Sequence, residues 1–198
     1  MFIRSFIVLL TILFITIGFA SCSIFIEKVK FTKEELIHYN VYNKKDMLIF
    51  MNLQTHDKDT SIIIKKRVYY DWQLLAYSQY ITSFADVIYS NKNLNRSDIK
   101  NQEYMISIHK SEPRSFIRQE INYLYLNFLI DEGELLSAEY LTINKKRIFK
   151  VYKLTYNKKG PFLYRINDDS PEILYWNTDY GIIKYVSFNG NVWERINF

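Results

Sequence analysis

The sequence predicts an α+β domain in which a mainly antiparallel sheet, ending in a C-terminal β-meander, carries two or three helices packed on one face. Three observations lead to this fold class. Apolar residues recur every three or four positions in two central stretches, 74–88 and 117–128, as they do on the buried side of a helix. From residue 135 onward, short strand-like runs are separated by turn sequences. Near the C-terminus, Asn189-Gly190 is a strong hairpin signal.

A short helix and a hairpin are expected at the start of the domain. Thr32 and Glu35 have the spacing of a capping box, which predicts a helix over roughly 33–42. Two apolar runs follow, at 47–54 and 61–70, and a polar stretch separates them. This pattern favours a β-hairpin.

Two longer helices are predicted in the middle of the chain. Asp71 is placed to cap the first and Asn91 to close it. The second begins at 111–113 and ends at Gly133, and a strand over 103–109 separates the two. Two tyrosines inside the second helix are more typical of strands, but the apolar spacing favours the helix.

The C-terminal meander is expected to contain strands at 135–143, 147–156, 162–166, 173–176, 182–188 and 192–198. In its last hairpin, a two-residue loop at Asn189-Gly190 would place Lys184 opposite Arg195. Facing like charges destabilise a sheet. Either the loop is longer, therefore, or the two side chains splay into solvent.

The first 21 residues have the pattern of a secretory signal peptide. A single basic residue, Arg4, precedes an uncharged apolar run over 6–20. Ala20 and Ser21 are small residues directly before Cys22, which is the only cysteine of the chain. One cysteine cannot form an internal disulfide, so in an exported protein it calls for an intermolecular or covalent explanation.

This stretch resembles the signal of a bacterial lipoprotein, in which cleavage occurs directly before a cysteine that receives lipid. Phe19 departs from the leucine usual at its place. The resemblance implies that 1–21 are removed and that 22–30 form the lipidated N-terminus and a short tether. The 177 residues left after removal of 1–21 are enough for one domain with a real core, so a single domain is predicted over 31–198. It also implies a diacylglycerol thioether on Cys22 and an amide-linked acyl group, and several acyl chains anchor a protein more lastingly than one.

An uncleaved membrane helix is the alternative tether. The uncharged stretch continues to Ile26, which gives the ~20 residues that a spanning helix needs. The C-terminal sequence Tyr-Gly-Ile-Ile-Lys-Tyr resembles uncharacterised lipoproteins of the Bacteroidetes type. That resemblance, with Ser23 after the cysteine, implies the outer membrane and a domain that faces the periplasm.

Composition gives few functional signals. The formal net charge is +5, which is weak evidence for nucleic acid, and no nucleic-acid partner is expected. The densest basic cluster, 65–67, is interpreted as a solvated strand edge, because successive strand residues point to opposite faces. No catalytic motif, cofactor or metal site is expected, and none of the three histidines has a metal-ligand spacing: His38, His56 and His109.

One patch near the C-terminus is the candidate binding surface. Its members are Tyr175, Trp176, Asn177, Asp179 and Tyr180, with Trp193 on the final strand. Exposed tryptophan and tyrosine rings beside polar groups suit stacking on a sugar or insertion into a partner's pocket. A tryptophan packed beneath a turn explains the same residues, and that arrangement is the commoner one.

These features predict a membrane-anchored envelope lipoprotein with a non-enzymatic accessory or binding role and an envelope protein as partner. One alternative is an immunity lipoprotein that neutralises a toxin through a charged complementary face. The other is an envelope hydrolase acting on glycan or lipid. It would need four carboxylates to converge in a pocket: Asp131, Glu134, Asp168 and Asp169.

Overall fold

The computed structural model describes residues 27–71, 80–91, 102–112, 114–115, 117–130, 133–136, 140–156 and 168–198. Within this part of the chain the protein is nearly all β. The predicted α+β class with two or three helices is therefore wrong. No helix among the described residues is both long and apolar enough to cross a bilayer. The predicted signal peptide and Cys22 lie outside the described residues.

The strands are numbered here in chain order. They are β1 (Glu27–Lys28), β2 (Met47–Asn52), β3 (Lys58–Asp71), β4 (Tyr80–Asn91), β5 (Gln102–Lys110), β6 (Arg118–Tyr123), β7 (Leu126–Leu129), β8 (Glu134–Leu135), β9 (Tyr140–Ile143), β10 (Lys146–Phe149), β11 (Tyr152–Thr155), β12 (Pro171–Asn177), β13 (Gly181–Ser187) and β14 (Val192–Arg195). The one helix of the described residues, α1, is Ile37–Asn40.

Twelve of these strands form one sheet, in the order β7-β6-β5-β4-β3-β2-β14-β13-β12-β11-β8, with β1 joined to β4. The β1–β4 pair is parallel, and the other pairs are antiparallel. The hairpin β9–β10 stands apart. The last strand, β14, lies between β2 and β13, so residues 50–52 pair with residues 193–195, which are far away in the sequence.

The sheet curls until its two ends meet. β7 contacts β11, and the ring of Phe128 lies 6.2 Å from the ring of Tyr156, just beyond β11. The amide of Gly133, just before β8, donates to the carbonyl of Ile130, just after β7, at 3.0 Å. β7 pairs with β6, and β8 pairs with β11.

Aromatic side chains fill the concave face. The ring of Tyr123 lies 5.8 Å from Phe50, 5.5 Å from Tyr89 and 5.5 Å from Tyr185, which brings β2, β4, β6 and β13 together. All four side chains are buried. Each such ring pair is worth ~0.5–1.5 kcal/mol beyond its buried area. With so few helices, the interior depends on these large side chains to fill the curled sheet.

The chain around α1 closes one end of this interior, called the α1 end below. Tyr39 and Tyr42 belong to the buried core. The ammonium of Lys66 lies 4.1 Å from the ring centre of Tyr39 and donates to the carbonyl of Tyr42. The opposite end is called the far end. It is bordered by the turns at 53–57 and 188–191.

The helix at the α1 end is shorter than predicted. The capping box is present, since the amide of Thr32 donates to Glu35 at 2.7 Å and the amide of Glu35 donates to the hydroxyl of Thr32 at 3.2 Å. The following residues form a turn held by i to i+3 hydrogen bonds, from Leu36 to Lys33 and from Ile37 to Glu34. Only Ile37–Asn40 is α-helical.

The first predicted central helix is wrong, because its second half is strand β4 and the remainder lies outside the described residues. β4 pairs with β3 on one side and β5 on the other. Ala85 and Val87 are buried on its concave face, whereas Phe84 and Ile88 are half-buried on its convex face. Apolar residues on both faces of one strand produced the spacing of three and four.

The second predicted helix is wrong as well, since its residues form the hairpin β6–β7. Ile121 pairs with Phe128 across the strands, and both point into the core. The connecting residues, Leu124 and Tyr125, have φ angles of 48° and 72°. Two-residue hairpin turns with positive φ usually contain Asn or Gly. A leucine-tyrosine turn carries no such signal, and the apolar residues flanking it imitate a helix.

The C-terminal strands β9 to β14 are antiparallel, as predicted. The strands expected at 135–143 and 147–156 are not continuous, because the first is divided into β8 and β9 and the second into β10 and β11. The expected strand at 162–166 lies outside the described residues. The last hairpin has the longer loop. Lys184 faces Glu194, and their charged groups are 3.2 Å apart. The predicted clash with Arg195 is avoided by this register.

We expect Gly181→Ala to destabilise the fold strongly. Gly181 has a φ of +73°, and a Cβ there would lie 2.5 Å from Cζ of the buried Tyr42. Left-handed backbone and overpacking together should lower the free energy of unfolding by about 2–4 kcal/mol in urea titrations. Gly190→Ala is the matched control, because φ is +83° but no atom lies within 4 Å of its Cβ position. Equal losses for both variants would contradict the role given to Tyr42.

Candidate functional site

A polar cluster is buried inside the far half of the sheet, centred on Asp59. The carboxylate of Asp59 accepts hydrogen bonds from the hydroxyls of Tyr123 and Tyr185, each at 3.3 Å. It also accepts one from the side-chain amide of Asn91 at 2.9 Å. The hydroxyl of Ser61 lies 2.8 Å from the same amide and 3.2 Å from the Tyr123 hydroxyl. All five residues are almost fully buried.

Burial decides the protonation of the phenols in this cluster. Desolvation raises the pKa of Tyr123 well above its ordinary value, and the charge of Asp59 raises it further. The pKa of Tyr185 is raised in the same way by burial, by Tyr123 and by Asp59. Both hydroxyls therefore stay protonated at ordinary pH and act as hydrogen-bond donors, not as bases or nucleophiles.

The neighbouring turn between β6 and β7 is held by a related set of hydrogen bonds. The hydroxyl of Tyr89 donates to Glu103 at 2.9 Å and accepts from the amide of Leu124 at 2.7 Å. The amide of Tyr125 donates to the same carboxylate at 3.1 Å. Positive φ is unfavourable for residues with side chains. These bonds fix the turn in that conformation, so the interior polar groups have a clear structural role.

We expect Tyr123→Phe to lower the free energy of unfolding by about 1–3 kcal/mol, because it removes the hydroxyl contacts with Asp59 and Ser61 from a buried site. Chemical denaturation monitored by circular dichroism measures this loss. Tyr70→Phe is the control, since that ring is 44% exposed and the change should cost less than ~0.5 kcal/mol. If the two variants are equally stable, the buried hydroxyl contributes nothing.

A row of stacked rings lies on the convex face, across β3, β4 and β5. The ring of Phe84 is 5.1 Å from Tyr69 and 4.9 Å from His109, with interplanar angles of 14° and 10°. We call these three residues the aromatic column. Because the rings stack on one another, most of their faces are covered and their edges point outward. Flat stacking of a sugar on the column is therefore unfavourable.

Arg67 lies at the β3 end of this column. Its guanidinium carbon is 4.5 Å from the ring centre of Tyr69 and 5.7 Å from that of Tyr104. The Nη2 atom of Arg67 donates to the Tyr104 hydroxyl at 3.1 Å. Nε donates to Asp86 at 3.0 Å, and Asp86 also accepts from Ser107 at 3.2 Å. We call Arg67, Tyr69, Asp86 and Tyr104 the Arg67 cluster. It fixes a flexible side chain in one orientation.

The Arg67 cluster is open to solvent on one side. The Arg67 side chain is 33% exposed and Tyr104 is 44% exposed, whereas the Asp86 side chain is 2% exposed. Burial by itself lowers the pKa of Arg67. The hydrogen bond to Asp86 and its negative charge have the larger combined effect, so the pKa of Arg67 is raised. Preorganised arginine and tyrosine side chains are typical of the residues that contribute most to protein interfaces. An arginine held in one orientation beside an exposed tyrosine is suited to contact a protein partner.

The sequence could not reveal this cluster. The prediction of a solvated strand edge at 65–67 is wrong, because β3 is an inner strand of the sheet. Arg67, Asp86 and Tyr104 are far apart along the chain and meet only through the register of β3, β4 and β5. One pattern in the sequence bears on the cluster, the alternation of strand side chains between two faces. It places Lys66 on the concave face and Arg67 on the convex one.

The structure divides the predicted binding patch between two faces. Trp176 is buried at the α1 end, and Trp193 stacks on Tyr185 inside the sheet, with ring centres 5.5 Å apart. Asn177 is buried as well and accepts from the amides of the following turn. Two tyrosines of the patch are half-buried, and its aspartate is exposed: Tyr175, Tyr180 and Asp179. The six residues do not form one surface.

Trp176 instead contacts the chain that closes the α1 end. Its Nε1 donates to Nδ1 of His38 at 3.1 Å, and its ring lies 5.8 Å from that of Tyr42. Accepting this bond requires an unprotonated Nδ1 on His38. Burial lowers the pKa of His38 below 6.5, in agreement with a neutral ring. The contact ties α1 to β12.

We expect His38 to make stability depend on pH. Below about pH 6.5 the unfolded chain binds a proton at His38 that the folded chain does not bind until its lowered pKa is reached. The free energy of unfolding should therefore fall as the pH drops through this interval and then level off. Thermal unfolding from pH 8 to pH 4 measures it, with His38→Asn as the control that keeps an acceptor but does not titrate. Parallel curves for the two proteins would contradict this assignment.

The carboxylates proposed for a hydrolase do not converge where the structure describes them. Glu134 is exposed in β8, and Asp168 and Asp169 are exposed in the turn before β12. Asp131 lies outside the described residues. Within the described part of the chain, no group of three or more His, Cys, Asp or Glu side chains is placed to hold a metal ion.

Comparison with known proteins gives no relative: no protein-family model, no curated protein and no solved structure matches this chain.

Proposed function

We propose that this chain is a lipid-anchored envelope protein that binds a partner protein through the Arg67 cluster and has no catalytic role. The observation that carries the binding role is the geometry of Arg67, held by Asp86 between two tyrosine rings on an exposed sheet face. Fixing such a side chain before binding reduces the entropy that association costs.

The chemistry of this face favours a protein partner over a glycan. The aromatic column presents ring edges, and both Arg67 and Phe84 pack on the ring of Tyr69. The exposed groups are then a guanidinium, the Tyr104 ring and nearby polar side chains. Such a mixture of aromatic and arginine contacts is common at the centre of protein interfaces.

The anchor is supported by the sequence alone. Cys22 is the only cysteine and follows small residues at the end of an apolar run. Lipid on Cys22 would hold the domain at a membrane of the cell envelope, with the outer membrane and a periplasm-facing domain as the specific proposal. The binding face and the anchor are independent parts of this proposal.

The anchor is tested by intact mass and membrane fractionation of the full chain made in a Gram-negative host, beside Cys22→Ala. We expect the wild type to lose 1–21 and gain acyl mass, and Cys22→Ala to keep the unprocessed leader. A wild-type protein that retains the leader and gains no acyl mass would overturn the lipid anchor.

The binding face is tested by placing a photo-crosslinking phenylalanine analogue at Tyr104 in cells that naturally contain the protein. We expect one discrete adduct, which Arg67→Ala should abolish while the protein remains folded by circular dichroism. Phe149 is the control position, since it is an aromatic residue of similar exposure on β10. The same adduct at both positions, or an adduct at Tyr104 that survives Arg67→Ala, would contradict the proposal.

A further inference from the structure

We infer that the patch formed by Lys28, Val68 and Tyr70 rests on the phospholipid surface of the membrane that holds the anchor, so that the α1 end of the sheet faces the bilayer. This inference rests on the proposed anchor and deepens it, because it assigns the domain one orientation. We call these three residues the β1 patch.

The contacts of β1 place this patch beside the tether. Glu27 and Lys28 pair with the first residues of β4, at the end of the sheet where β3 finishes. The ammonium of Lys28 lies 5.3 Å from the ring centre of Tyr70. Val68 and Tyr70 alternate along β3 and therefore point to the same side. The patch thus joins a cation, an aromatic ring and an aliphatic side chain.

The length of the connecting chain limits how far the patch can lie from lipid. Five residue steps separate Cys22 from Glu27, and an extended chain covers at most about 18 Å in five steps. A lipidated Cys22 lies in the membrane interface, so β1 must stay within that distance of it. The tether does not hold the far end in the same way, because Lys58 and Tyr70 are twelve residues apart on one strand, or about 40 Å.

The exposed groups of the patch match the chemistry of a membrane interface. Val68 is 46% exposed and Tyr70 is 44% exposed, which is unusual for apolar side chains beside a well-filled core. Tyrosine favours the interface because its ring is apolar and its hydroxyl is polar, and lysine extends its charge to the headgroups along an apolar stem. Lys30 and Lys33 are exposed on the same segment and add positive charge. Glu34 and Asp71 are exposed nearby, so charge alone does not carry the attraction.

The test uses spin labels on the full chain in isolated membranes. Tyr70→Cys and Lys58→Cys are each labelled after intact mass has shown whether Cys22 is acylated and its thiol blocked. Power saturation with oxygen and with a water-soluble nickel complex then reports depth. We expect the label at 70 to lie in the headgroup region, with an oxygen-to-nickel accessibility ratio severalfold above that of the label at 58.

A matched pair of charge insertions tests the contact itself. Val68→Asp should shift the label at 70 into water, whereas Ile62→Asp, on the same strand with 42% exposure, should leave its depth unchanged. Acylated protein with equally water-exposed labels at 70 and 58 would overturn the docked orientation and leave the anchor intact. A protein without acyl mass would contradict the lipid anchor on Cys22. If the label at 70 of that protein still lies in the headgroup region, the docked orientation stands and another tether holds the domain at the membrane.

Discussion

The hydroxyl and ring of Tyr123 are the contact on which most of this structure depends. The ring packs against Phe50, Tyr89 and Tyr185, and the hydroxyl reaches Asp59. These residues come from five strands, β2, β3, β4, β6 and β13. In the described part of the chain no long helix covers the curled sheet, so the sheet fills its own interior, and large aromatic side chains do so with few residues. Because their polar atoms must also be paired, the same residues determine which strands lie opposite one another.

The two faces of the sheet have different chemistry. Inside, carboxylate, hydroxyl and amide groups satisfy each other away from water, which gives specificity to the packing. Outside, Arg67 is fixed by Asp86 and remains accessible beside Tyr104. Lys66 and Arg67 are adjacent in sequence, yet one closes the interior and the other faces solvent. Alternation along a single strand thus places a residue that stabilises the interior next to the residue that we propose binds a partner.

Much of the C-terminal half could be predicted from sequence, because its turns carry recognisable residues such as Asn189-Gly190. The central half could not. There the hairpin turn is made by Leu124 and Tyr125, whose positive φ angles are held by distant groups instead of by local preference. The candidate site was missed for a related reason. Arg67 and its partners meet through strand register, and register depends on the order of strands in the finished sheet.

The position of β14 between β2 and β13 has a consequence for how the chain reaches its native state. The pairing of Arg195 with Phe50 joins residues that are widely separated in the sequence, and the amide of Ile196 donates to the carbonyl of Ile49. Contacts of such high sequence separation are slow to form, because the entropy of closing a long loop is lost before the contacts contribute any stabilising free energy. β2 and β13 therefore stay unjoined through β14 until residues 192–195 have been synthesised.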